Sequence, residues 1–545
     1  MNNFFQTIEN FGDRILAVMT PMRILLFSNM LFVLTLIILS NLQVLPLRFW
    51  DFIFFSLLFF LLALYRSGWV FAVLVGMSPL ENINLAPMEF GINFRPYQFL
   101  ALLLALAVFI RLVTGRIKWP LFRISWLDGV VGGFLLLGFL LIPFLPFSEL
   151  TSVAIKQSVI LLSFGLLYIL GRIFLKKESD VRIAIAFFLS SIAVVLGYGL
   201  WQALRFKWNL PDFSVMPGRP NGTFPEADFF GGVLAMIISG MIPFGLSFFF
   251  WNECSRLKKM LFAILLFSVS LILILTVARS GWLAAAIGMI VSAALFFWRN
   301  GIFEALREWD GHTLRKGVFA KFFIGLPIAL ALGTIFIFQL TSFDLLDRGG
   351  SVSSGLQKIT ISCEGNVTFP EKISHMEELE RYGCRHINLD EIESELASGR
   401  VVKEIFRDDP NISIRKTLYR ESWSLIREYP LTGLGWGNAS HFFGVDGRGS
   451  GMNASNVFLQ IWLEAGVIAF LGFLCFWFSF PILLLRDIIQ GSDRRQALLA
   501  MSLIASWIAI TVFNLFNSGL LLGSLWIFFS ILVWFVNAFN SKRSS

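Results

Sequence analysis

Three arginines stand beside small polar residues at the edges of apolar runs. Arg219 lies in "GRPNGTFPEADFFGG", Gly218 to Gly232, and Arg279 in "LTVARSGWLAAA", 275–286. Arg415 opens a polar helical segment that leads into the Gly-rich "PLTGLGWGN", 430–438. A guanidinium is always charged and presents a planar fork of donors that fits phosphate oxygens two at a time. An arginine at a membrane edge is costly unless it is paired or functional. The first stretch adds the Thr223 hydroxyl and two carboxylates, Glu226 and Asp228, and an imidazole follows at His441. In "GMNASNVFLQIWLEAGV", 451–467, Asn456, Gln460 and Glu464 recur every four residues and share one helix face. Cations of this kind beside apolar segments suit a lipid-linked diphosphate, with phosphates at the interface and the lipid tail between helices.

Each stretch also has an ordinary structural role. Asp228 is placed to cap the next helix, Arg279 to snorkel from an interfacial turn, and Ser455 or Asn453 to cap the helix that follows. The Gly-rich turn serves equally as a tight connection back to the membrane.

The elements that position these residues follow from composition. The chain has 545 residues, is 56% hydrophobic and only 15% charged, and includes 61 Phe. Its mean hydropathy is +0.74, whereas soluble domains carry roughly 25% charged residues. A membrane crossing needs about 20 apolar residues, and fourteen segments fit, from 24–41 to 519–538, with 68–80 the shortest. The expected fold is an all-α polytopic membrane protein of about 14 transmembrane helices with a folded, mainly helical external loop. Residues 1–340 form the first part of the membrane domain, 341–455 the external loop, and 456–545 the last spans and a cytoplasmic C-terminus. No cleavable leader is evident in the polar opening residues.

Orientation follows from the basic residues, which concentrate in cytoplasmic loops. With both termini cytoplasmic, the inner segments hold most of the Lys and Arg outside the long loop, including Arg116, Lys118, Lys176, Lys177, Lys258, Lys259, Arg494 and Arg495. The same bias accounts for the formal charge of +8 without a nucleic-acid partner. Residues 205–228, the long loop and Arg279 then share the external face. Within the loop, Ser374-His375-Met376-Glu377 is a capping-box pattern opening a short helix. Asn388 to Gly399 reads as another helix, and a third lies between Pro410 and Pro430. Cys363 and Cys384, outside the reducing cytoplasm, are candidates for a disulfide.

These pieces resemble the O-antigen ligase and polymerase family of bacterial envelope glycosyltransferases. The resemblance rests on Arg219-x-x-Gly222-Thr223-Phe224, on Thr276-x-x-Arg279, and on Arg415 ahead of Pro430 and Gly433-Leu434-Gly435. It continues in Asn456-x-x-Leu459-Gln460 and Glu464-x-Gly466, and covers roughly residues 200–480. It implies transfer of a glycan from an undecaprenyl-diphosphate carrier to a glycan or lipid acceptor hydroxyl, on the external face of the bacterial plasma membrane. It implies substrate binding by Arg219, Arg279, Arg415, Thr223, Asn456 and Gln460, with no metal or nucleotide cofactor.

One departure stands out. Ser455 occupies the position where the ligases carry a histidine proposed to activate the acceptor. A serine hydroxyl is not a useful base near neutral pH. Asp228, Glu226 and His441 are the candidate catalytic replacements, with Asp446 a further one. Glu464 lies about eight residues into its span. His312 is cytoplasmic, and His375 and His386 fall in the loop insert. A lipid-linked oligosaccharide flippase and a non-catalytic assembly subunit are the alternative functions. The transporter reading lacks the repeated halves and mid-span polar groups that such proteins show.

Overall fold

Backbone amides inside a bilayer have no water to bond, so each apolar run must close its own hydrogen bonds as a helix. The computed structural model describes residues 21–540 apart from 212, 251–254, 301–310, 344, 346–355, 366, 368–371, 374–375, 388–390, 409, 446–450 and 491–492. Among the described residues, ten helices are long and apolar enough to cross a membrane. They are α1 (Pro21–Asn41), α2 (Phe49–Met77), α3 (Pro96–Val113), α5 (Thr151–Phe174), α6 (Glu178–Lys207), α7 (Ala227–Phe250), α8 (Arg256–Leu275), α9 (Arg279–Arg299), α14 (Val457–Gln490) and α15 (Arg494–Asn514). Shorter apolar helices lie within α4 (Trp126–Leu140), α10 (Gly311–Phe338) and α16 (Gly523–Asn540). The protein is an all-α polytopic membrane protein.

Helix α2 folds back on itself. A straight helix of 29 residues would run about 43 Å. Yet the Leu47 amide donates to the Leu85 carbonyl at 3.2 Å, and residues 78–85 can recover at most ~28 Å when extended. The reversal sits at Arg66, whose backbone (φ −133°, ψ 56°) leaves the helical region. The first arm sets Phe52 against Phe99 at a ring separation of 5.2 Å. At the reversal, Ser67 accepts from Arg111 at the far end of α3, at 2.7 Å.

The site is carried by a tight group formed by α7, α9 and α15. Among the described spans, α7 is the most enclosed. Small residues permit this approach, as they do between membrane helices generally. A Cβ on Gly281 of α9 would lie 2.9 Å from the Gly231 backbone of α7. One on Gly240 of α7 would lie only 2.4 Å from the Ser506 hydroxyl of α15. The start of α7, the start of α9 and the end of α15 therefore meet at one end of the group.

The long loop is folded, and its first half differs from expectation. Strands β1 (Leu356–Cys363), β2 (Lys372–Ile373), β3 (Cys384–His386) and β4 (Val401–Asp408) form a sheet in the order β2-β4-β1-β3. Its ladder pairs Ile359 with Ile405, and Cys363 with Cys384, antiparallel. Alternating Ile359, Ile361 and Cys363 face a small core with Ile373, Leu379 and Ile405. Cys363 and Cys384 are disulfide-bonded. The expected helices survive as a 3₁₀ turn at Met376–Tyr382 and as α11 (Ile392–Ala397), between strands the helical reading missed. The capping residues Ser374 and His375 lie outside the described residues. The third expected helix is α12 (Pro410–Glu428), followed by the short α13 (Ala439–Phe443).

Candidate functional site

Arg219 is held by a turn that is itself tied down. Gln202, buried on α6, accepts from the Gly222 amide at 2.8 Å and donates to Asn221 Oδ1 at 3.3 Å. The Thr223 hydroxyl donates to the Pro79 carbonyl at 2.7 Å, and the Asn82 amide donates to the Thr223 carbonyl at 2.8 Å. Thr223 thus joins two loops, and its hydroxyl is turned into the protein; the structure gives it a positioning place where the sequence suggested substrate contact. From this base the Arg219 side chain donates through Nε to the Thr276 carbonyl and through Nη2 to Asp228 Oδ1, both at 3.0 Å.

Thr276 belongs to the turn between α8 and α9. Its hydroxyl donates to the Leu273 carbonyl at 2.7 Å and accepts from the Ala278 amide at 3.3 Å. Arg279 is the first residue of α9 and is half-buried. Arg219 and Arg279 therefore sit on either side of one short turn. Beside Arg279, Ser280 accepts from Asn517 at 3.0 Å.

That asparagine lies in the turn between α15 and α16, where the third arginine also arrives. Arg415 Nη2 donates to the Phe516 carbonyl at 3.2 Å and its guanidinium lies 5.9 Å from the Phe516 ring centre. Asn456 Nδ2 donates to the Leu515 carbonyl at 3.1 Å. On its other side the turn is anchored by Glu81. Glu81 accepts from the Gly523 amide (2.6 Å), the Tyr97 hydroxyl (2.6 Å) and Arg95 (2.8 Å). Burial pushes the Glu81 carboxyl up, against the pull of Arg95. The turn 515–523 thus gathers the elements bearing all three arginines. The motifs read from the sequence do not include this turn, although the polar Asn514, Asn517 and Ser518 within an apolar run mark it.

The cap of α14 is Asn456, not Ser455 or Asn453. Asn456 Oδ1 accepts from the Phe458 and Leu459 amides at 2.9 and 3.0 Å. Ser455 adopts a left-handed backbone, φ 49°, and its amide donates to Asn453 Oδ1 at 2.8 Å. Gln460 Oε1 accepts from the Ala454 amide at 2.6 Å. Helix α14 then breaks at Gly466 (φ 74°, ψ 174°). The Gly-rich turn docks into that break. The Leu434 and Gly435 amides donate to the Leu463 and Glu464 carbonyls, and the Val467 amide to the Pro430 carbonyl, each at 2.9 Å. A Cβ on Gly466 would lie 1.9 Å from the Leu431 carbonyl oxygen. The spacing Glu464-x-Gly466 is thus the receptor for Gly433-Leu434-Gly435. The turn is the tight connection that its sequence also allowed.

Glu464 is deep in sequence but not sealed off. Together with Gln157, Ser440, Asn453, Gln460 and Ser518 it lines a cavity of about 390 Å³. One of its carboxylate oxygens accepts from the Ala439 amide at 3.4 Å.

The remaining candidates scatter around this centre. Asp228 sits on Arg219, in the first turn of α7. Glu226 is half-buried just before that helix. His441 is exposed on α13, where its ring lies 5.5 Å from Phe442. Asp446 lies outside the described residues.

Residues 261–474 match the model of a family described as O-antigen ligase, which bears out the resemblance drawn from the motifs. The matched span contains Thr276, Arg279, Arg415, Asn456, Gln460 and Glu464, and ends before the turn at 515–523. No curated protein matches the chain.

Proposed function

We propose, from the match of residues 261–474 to the O-antigen ligase family model, that this protein moves a glycan from an undecaprenyl-diphosphate carrier to an acceptor hydroxyl in envelope polysaccharide assembly. The observation that carries the proposal is the gathering of the Arg219, Arg279 and Arg415 segments around the turns at 276–279 and 515–523. The acceptor hydroxyl oxygen attacks the anomeric carbon, the bond from that carbon to the phosphate oxygen breaks, the diphosphate leaves with the electron pair, and the hydroxyl proton passes to the departing diphosphate or to a nearby carboxylate. Inversion at the anomeric carbon follows from a single displacement. Negative charge builds on the leaving group, and fixed cations aimed there lower the barrier most. Asp228 keeps Arg219 aimed. Because the nearer Asp228 oxygen is engaged by Arg219, leaving-group stabilisation carries most of the rate in this reading. The basic residues of the opposite loops support cytoplasmic termini and an external long loop in the bacterial plasma membrane.

The test is transfer by purified protein from undecaprenyl-diphosphate oligosaccharide to candidate acceptors, with release of the carrier measured. Arg219→Ala, Arg279→Ala and Arg415→Ala should each cost on the order of 10²–10³ in rate while the protein remains folded. Near-normal transfer in all three would refute the assignment, and movement of the donor across vesicles without carrier release would make the protein a transporter.

A further inference from the structure

The cavity beneath the Gly-rich turn is chemically unlike the arginine side. Its polar lining consists of amides, hydroxyls and one carboxylate: Gln157, Asn453, Gln460, Ser440, Ser518 and Glu464. Among the described residues, no lysine or arginine lines it. A diphosphate placed there would meet the Glu464 carboxylate and no cation. The rest of the wall is apolar, including the Trp436 indole and Leu161. Neutral hydrogen-bonding groups, one carboxylate acceptor and an aromatic wall match a sugar, which offers hydroxyl donors on its rim and C–H groups on its faces. The volume, about 390 Å³, lies within the ~300–1,000 Å³ usual for ligand sites.

The cavity is also positioned to serve the arginines. Leu515, Phe516 and Asn517 contact Asn456, Arg415 and Ser280, while Ser518, Leu520 and Leu521 of the same turn line the cavity. One short turn therefore separates the cations from the neutral chamber. Its walls come from distant elements: Gln157 from α5, Ser440 from α13, and Gln460 and Glu464 from the stretch of α14 before its break. The positive-φ Gly466 and the docked Gly-rich turn fix the end of that stretch. We propose that this cavity is a glycan subsite, binding an uncharged sugar unit through Glu464 and its amide and hydroxyl neighbours while the arginines across the turn hold the diphosphate. This rests on the glycan-transfer reading and adds where the sugar is held.

The two sites are separable by binding. The full-length protein is placed in phospholipid nanodiscs, because glycoside detergents would present sugars of their own. Two probes are titrated: the neutral oligosaccharide released by mild acid from the source bacterium's envelope polysaccharide, and undecaprenyl diphosphate without sugar. Ser440→Trp, which fills the cavity, and Glu464→Gln, which removes only its charge, should weaken oligosaccharide binding tenfold or more. Both should leave undecaprenyl diphosphate binding unchanged, and Arg279→Ala should do the reverse. Unchanged oligosaccharide affinity in both cavity variants overturns the subsite. So does wild-type protein that takes the diphosphate lipid but not the oligosaccharide, or joint loss of both probes in the cavity variants. Wild-type protein that fails to take undecaprenyl diphosphate strikes instead at the glycan-transfer reading. Should Ser440→Trp not fold, Glu464→Gln decides alone.

Discussion

Arg219 commits part of its donor fork to the protein before any ligand arrives. Nε is bound to the Thr276 carbonyl, Nη2 to Asp228, and Nη1 lies 3.5 Å from Met216 Sδ, so the fold has fixed the direction of the whole fork. A lysine has the charge but no fork, and could not make both internal contacts while reaching a phosphate. Arg219→Lys should therefore lose nearly as much transfer as Arg219→Ala, and Asp228→Asn should lose about tenfold, the size of an interaction of roughly 1.4 kcal/mol. The readout is the rate of carrier release. Full activity in Arg219→Lys would show that charge alone suffices. Glu226→Gln combined with Asp228→Asn asks whether either carboxylate takes the acceptor proton; normal transfer in the double variant removes both from the chemistry.

At the scale of elements, the break in α14 is what lets the long loop and the membrane helices share a site. Gly466 has a positive φ with an extended ψ, a region essentially confined to glycine and costing other residues roughly 1–3 kcal/mol, and a Cβ there meets the Leu431 carbonyl. Gly466→Ala should lower thermal stability by more than that strain alone and lose transfer with it; an unchanged melting temperature would show that the docked turn is dispensable. The loop insert has its own pH dependence. Glu395 accepts from the Ser362 hydroxyl and from Arg385, and these contacts, the hydroxyl first, hold its carboxyl below the usual range. A carboxylate lowered by folding stabilises the folded insert above its unfolded value, and that contribution is lost as pH falls through the lowered one. Limited proteolysis of the loop in the intact protein should accelerate with acid below the ordinary carboxylate range, and Glu395→Gln should blunt that dependence. Equal acid sensitivity in variant and parent would assign it to other groups.

At the scale of the molecule, α2 shows how chain geometry decides a topology that helix length alone would misstate. Its 29 residues are long and apolar enough for one span, but the Leu47–Leu85 hydrogen bond requires two arms meeting at Arg66. With the external assignment of the 219–228 turn, which the Asn82 amide bonds through Thr223, residue 66 falls on the opposite side from residue 84. Single cysteines replacing Arg66 and Asn84, in a background without the native cysteines, should react with an impermeant thiol reagent from opposite faces. Labelling of both from one face would open α2 into a single crossing. The same reversal closes the network in which Glu81, Arg95 and Tyr97 hold the Gly523 amide.

Hydrophobic run length, turn residues and the placement of basic side chains are local quantities, and they were enough to read a polytopic helical protein, its folded long loop and the arginine segments that the fold then brings together. Arg219, Arg279 and Arg415 were legible because an arginine beside an apolar run needs a reason. The strands of the insert were not, because short polar strands such as Val401–Asp408 draw their stability from partners far away in the chain. Nor was the commitment of Thr223 to Pro79, which is 144 residues distant. The turn at 515–523 and the chamber lined by Gln157, Ser440 and Glu464 exist only once α5, α13, α14 and the end of α15 are packed together. A residue's type states what chemistry it can do. Which oxygen, amide or cavity it faces is a property of long-range packing, and the tertiary structure alone decided that.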